Sequence, residues 1–130
     1  MSNAVNDWAA LSYLPAIAAP TAALATSVTG TGVDCLSLDG NMGALQVVGT
    51  VASTSFTYAG KIQESDTATG TYSDIAGATF AAIGSTTGAQ ITGATSFQRT
   101  KRFLRYVGTI GGTTPTAAVD ALFLGKPKQG

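Results

Sequence analysis

The sequence has no histidine, one cysteine and few charges. Without histidine the usual zinc ligand sets, Ser/His/Asp triads and Cys/His dyads are all excluded. With Cys35 alone there is no intramolecular disulfide and no second thiol for a thiolate metal site. In the run Val33-Asp34-Cys35-Leu36-Ser37-Leu38 it reads as a small core residue. Charged residues make up 11% of the chain, against about 25% in an ordinary soluble domain. Seven basic and seven acidic side chains cancel, so no long-range field draws in nucleic acid or an anionic membrane. Disorder needs high charge with low hydrophobicity, and here 45% of the residues are hydrophobic. A chain this neutral is poorly soluble as a free monomer, which favours a surface covered by neighbouring subunits. No apolar run approaches the roughly 18 residues of a transmembrane helix. MSNAVNDW has no basic n-region, and Pro15 and Pro20 break the apolar text behind it. Neither a membrane span nor a secretory signal is therefore expected.

What the chain does have is β-strand text. At 130 residues it suits one domain that buries roughly two thirds of its unfolded surface. Its organising stretch is 55–75. Phe56, Tyr58, Gly60, Ile62 and Glu64 alternate with Thr57, Ala59, Lys61, Gln63 and Ser65, which puts the two sets on opposite faces of a strand. The polar residues 65–71 then supply a reversal longer than two residues, and Tyr72 and Ile75 resume the apolar pattern. From residue 28 onward short apolar runs recur about every ten residues, the signature of a sandwich or barrel. Strands are expected at 33–38, 44–52, 55–65, 72–75, 79–83, 89–92, 97–110 and 117–124, with a strong turn signal at Asp39-Gly40-Asn41. The run 44–52 is apolar on both faces and reads as an inner strand, and 117–124 reads as a last inner strand. The expected fold is all-β, an antiparallel, jelly-roll-like β-sandwich of about eight strands over residues 28–125, with an extended N-terminal arm over 1–27 and a polar tail over 126–130.

The arm is rich in alanine, with two prolines and one charge, Asp7. Asn6 or Asp7 is placed to cap a short helical turn carrying Trp8, Leu11 and Leu14 on one face, stopped at Pro15. Two courses are open to it: folding back over its own core, or docking Trp8, Leu11, Tyr13 and Leu14 onto another subunit.

No constellation points to catalysis. Glu64, Asp66 and Asp74 gather at the hairpin, but Asp66 and Asp74 suit Asx-type turns, and Glu64 is expected to make ordinary exposed pairs with Lys61 and Lys101 or Arg102. A calcium site on Asp66 and nearby hydroxyls lacks a dense run of acids. Arg99, Lys101, Arg102 and Arg105 form the basic cluster. On one strand Arg99, Lys101 and Arg105 share a face and Arg102 takes the other, so a subunit-facing surface fits better than single-stranded nucleic acid. Gly108, Gly111 and Gly112 are too irregularly spaced for a phosphate loop. Candidate interface residues are thus Trp8, Leu11, Tyr13, Leu14, Arg99, Lys101 and Arg105, with no catalytic residue, metal or cofactor expected.

Several stretches together resemble a known group. Lys61-Ile62-Gln63-Glu64-Ser65-Asp66 followed by Tyr72-Ser73-Asp74-Ile75 is one, and Arg102-Phe103-Leu104-Arg105-Tyr106-Val107-Gly108-Thr109 with Gly111-Gly112-Thr113 is another. Together with Ala121-Leu122-Phe123-Leu124-Gly125-Lys126-Pro127, this text resembles the small β-sandwich proteins that decorate or cement the heads of tailed bacteriophages. The resemblance implies a non-enzymatic virion protein on the outer capsid surface, made in the host cytoplasm. Trimers of such a protein sit between major capsid protein subunits and tie them together. Similar strand and turn grammar occurs in discoidin-like and fibronectin-like sandwiches that bind sugars or proteins, so a carbohydrate- or receptor-binding module of a tail or fibre is the alternative. Such sandwiches often carry Trp where this chain has Tyr72.

Overall fold

The computed structural model describes residues 12–15, 21–24, 26–52, 55–84 and 91–127. Ten strands occur among them: β1 (Ser12–Pro15), β2 (Thr21–Leu24), β3 (Val28–Thr29), β4 (Val33–Asp34), β5 (Leu38–Ala52), β6 (Thr57–Ser65), β7 (Ser73–Thr79), β8 (Ile91–Gln98), β9 (Phe103–Gly111) and β10 (Thr116–Pro127). Every pairing between them is antiparallel. The first sheet runs β1-β10-β5-β8, with β2 also on β10; the second runs β3-β9-β6-β7, with β4 also on β9. That order, two five-stranded sheets in which β1 and β2 share one edge along β10 and β3 and β4 the corresponding edge along β9, is a jelly roll. No helix among the described residues is long and apolar enough to cross a membrane.

The organising strand lies as its alternation requires up to Glu64, where the pattern ends: Ser65, expected on the outer face, is buried at the turn, and its hydroxyl accepts from Thr67 N. Phe56, Tyr58, Gly60, Ile62 and Glu64 are all buried, and Thr57, Ala59, Lys61 and Gln63 are exposed or half-buried. Cys35 is fully buried, and burial pushes its thiol up to about 11.

Four expectations give way to non-local contacts. Ser12–Pro15 is a strand paired to residues 122–125 of β10, so Leu14 sits in no helical turn; Pro15 holds its predecessor in the extended region. The chain reverses at Leu36 and Ser37, and Asp39-Gly40-Asn41 lies inside β5. There residues 38–42 of β5 face only 125–127 of β10, and this bulge absorbs the turn-like text. The stretch 79–83 is not a strand: β7 ends at Thr79, and Ile83 makes an isolated bridge to Tyr58. Finally, 97–110 is broken at 99–102 into β8 and β9.

Glu64 causes the last break. It is not an exposed partner of lysines; it is 8% exposed, and its carboxylate accepts from Thr100 N (2.8 Å), Thr100 Oγ1 (2.9 Å) and Lys101 N (3.1 Å). The 99–102 turn is thereby fastened to the end of β6. Glu64→Ala should strand two backbone donors at the end of the sandwich and cost about 2–3 kcal/mol, read as a lower urea midpoint at unchanged m.

At the centre, three polar side chains join the sheets. Tyr106 (β9) donates its hydroxyl hydrogen to Gln46 Oε1 (β5), so Tyr58 (β6) is the donor in the 2.7 Å contact with Tyr106. All three are at most 1% exposed. Burial raises both phenols above the ordinary tyrosine range, so they stay neutral donors. Gly60 and Gly108 are register partners on the same inner face. A Cβ on Gly60 would lie 2.0 Å from Gln46 Oε1, and one on Gly108 1.9 Å from Tyr58 Oη. This glycine pair clears the floor on which the three polar groups meet.

Candidate functional site

The two sheets present outer faces of opposite character. On β10 the residues Ala117, Val119, Ala121 and Phe123 point inward, which leaves Ala118, Asp120, Leu122 and Leu124 outside. On β5 Met42, Ala44, Gln46 and Val48 are buried, which leaves Gly43, Leu45, Val47 and Gly49 outside. Leu122 pairs with Leu45, and Asp120 with Val47. β8 adds Ala94 opposite Leu45 and Ser96 opposite Gly43. The outer face of the first sheet is therefore aliphatic, and between its ends Asp120 is the one charge among the described residues. Near the Lys126 end it dips into a groove of about 560 Å³ whose lining includes the outward residues Asn41, Gly43, Ser96 and Leu124.

The outer face of the second sheet is a polar ladder. Asp74 accepts from Lys61 Nζ (3.2 Å) and Gln63 Nε2 (2.8 Å); Gln63 Oε1 in turn accepts from Arg105 Nε (2.8 Å). The Arg105 guanidinium lies 4.2 Å from the centre of the Tyr72 ring, and Tyr72 donates to Ala68 O at 2.7 Å. At the sheet's end Arg102 grips Asp34 through Nε (2.9 Å) and Nη2 (2.7 Å) and covers the Phe103 ring at 5.1 Å. The Arg102 bond, with the Leu36 N–H second, holds the Asp34 carboxyl down at about 2. A carboxyl lowered by folding stabilises above its unfolded value and loses that contribution as it protonates. The difference in melting temperature between wild type and Asp34→Asn should therefore close as pH falls from about 4 to about 2.

The candidate residues are scattered by this geometry. Trp8 and Leu11 lie outside the described residues. Tyr13 and Leu14 stand in β1 at register positions beside Leu124 and Phe123. Arg99, Lys101 and Arg105 do not share a strand face, because Arg99 and Lys101 belong to the turn that Glu64 fastens. Arg99 turns inward and donates to the carbonyls of Cys35, Leu38 and Lys101, while Arg105 lies on the outer ladder. Asp66 is exposed, and the described residues hold no group of three or more acids or cysteines able to bind a metal.

No protein-family model and no curated protein sequence matches the chain. Several solved structures are similar, among them the following two. One is the Clostridium thermocellum endo-1,4-β-D-xylanase 10B, CBM22-1-GH10 modules complexed with xylohexaose (TM-score 0.53, 11% identity), which covers 78% of this chain and 20% of that one. The other is the PBSX exported protein XepA (TM-score 0.50, 15% identity), covering 92% of this chain and 38% of that one. What is shared is the β-sandwich fold. At such identities the comparison stops there, and in both cases this chain spans well under half of the matched length.

The aliphatic outer face was the feature hidden in the sequence, although its signal was present. Runs 44–52 and 117–124 are hydrophobic on both faces, the pattern of strands covered on both sides. Among the described residues the second sheet covers only the inner one, and Leu45, Val47, Leu122 and Leu124 on the outer one are half-buried.

Proposed function

We propose that this chain is a non-enzymatic structural module of a virus particle, a decoration protein that bridges major capsid protein subunits of a tailed-phage head. The observation that carries the reading is the two-sided hydrophobicity of β5 and β10. Their inner residues fill the core, while Leu45, Val47, Leu122 and Leu124 face outward with little charge near them. A sheet face of this kind wants a flat, apolar partner, and contacts repeated by symmetry in a homotrimer add through avidity. Net neutrality supports protein contact over nucleic acid. Quantitative mass spectrometry of purified particles tests the role: the protein should be present in capsid-like copy number, and a handful per particle would place it in a tail or neck instead.

The likeness to a chain complexed with xylohexaose favours one other reading, a sugar-binding module. Against it, Tyr72 and Phe103 on the second sheet each lie under a guanidinium, which leaves less open ring for a sugar. Saturable, selective binding on a glycan array would decide for the sugar.

A further inference from the structure

We propose that Arg105 anchors a second docking face, one that takes a carboxylate from an acidic segment of a partner protein. Two independent supports hold its guanidinium. Asp74 orients the Gln63 amide, whose oxygen then accepts from Arg105 Nε, and the Tyr72 ring lies beneath the guanidinium plane. Tyr72 is itself fixed: its hydroxyl donates to Ala68 O and abuts Gly32, where a Cβ would come within 2.1 Å. The two terminal nitrogens of Arg105 have no partner among the described residues, and neither is shut off from solvent.

The other arginines differ. Arg99 is turned onto three backbone carbonyls, and the fork of Arg102 is closed on Asp34. Arg105 alone among the described arginines is both immobilised and open at its fork. A side chain held in this way has already lost most of the rotamer entropy that a free arginine would lose on binding. A fixed planar fork matches one carboxylate in two parallel bonds. A phosphate, with close to two charges, fits less well than a singly charged carboxylate, because Lys61 on the same face is already paired with Asp74 and offers no second free cation.

The two outer faces then differ in chemistry, apolar on the first sheet and carboxylate-seeking on the second, as a protein joining two neighbours requires. The identity of the partner as a capsid protein rests on the function proposed above; the carboxylate site does not. A hexaglutamate peptide, titrated at low ionic strength into the ¹⁵N-labelled full chain, should shift the Arg105 Nε–Hε and Tyr72 ring resonances saturably, and hexalysine should shift neither. Arg105→Lys keeps the charge but should lose the saturable response. Gln63→Leu keeps the arginine but removes the carbonyl that orients it, and should weaken the response. The proposal is overturned by no shift in the wild type, by an undiminished response in both variants, or by inorganic phosphate saturating the site at lower concentration than the peptide. Because no virus particle enters this titration, failure to bind heads alongside a positive titration counts against the capsid role alone.

Discussion

Gly108→Ala should destabilise the domain by about 3 kcal/mol, near the top of the range for overpacking a core, and lower its melting temperature by roughly 10 °C. The added Cβ would stand 1.9 Å from Tyr58 Oη and 2.7 Å from Tyr58 Cζ, so the ring must leave its place. When it moves, the Tyr58–Tyr106 bond that continues to Gln46 breaks in a fully buried site. The partner position is equally closed, since a Cβ on Gly60 meets Gln46 Oε1 and Tyr106 Oη at 2.0 and 2.8 Å. The test that separates this cause from a general loss of strand propensity is a double-mutant cycle with Tyr58→Phe. Removing the hydroxyl removes the nearest clash, so the double variant should be clearly more stable than the sum of the single losses implies. Strict additivity would mean that the glycine pair does not make room for the hydroxyls.

The second large effect is on assembly and leaves the fold intact. Leu45 lies on the outer face of the first sheet, across from Leu122 on β10 and Ala94 on β8. In Leu45→Lys the aliphatic stem still covers its neighbours while the ammonium reaches solvent, so the melting temperature should move by only a few degrees. In a docked complex the same ammonium is buried against an apolar surface without a counter-charge. Affinity should fall on the order of a hundredfold or more. Sedimentation of the variant with heads that lack the protein measures this directly; equal binding by variant and wild type would remove the first sheet's outer face from the interface.

How much of this was legible in the sequence depends on how local the cause was. The strand could be read residue by residue from 57 to 64, because one buried face and one solvated face leave a period of two in the text; Ser65, buried at the turn, falls outside it. The all-β sandwich class followed from the spacing of apolar runs and turns. What could not be read was set by contacts distant in sequence. Asp39-Gly40-Asn41 is turn text absorbed by a bulge against β10, whose residues lie more than eighty positions away. The basic cluster looked like one strand because its break is made by Glu64, 36 residues upstream of Thr100. Arg99, Arg102 and Arg105 are one residue type with three different surroundings, and only the structure tells the internal clasp, the closed ion pair and the open fork apart.

The account depends on this sandwich acting as a passive bridge that binds by surface fit. The most direct measurement is rebinding of the purified full-length chain to expanded phage heads stripped of it, followed by sedimentation. Saturable uptake at a fixed ratio to the major capsid protein, with restored resistance of the heads to heat, is the expected result. A chain that stays in the supernatant at every concentration while remaining folded would contradict the account.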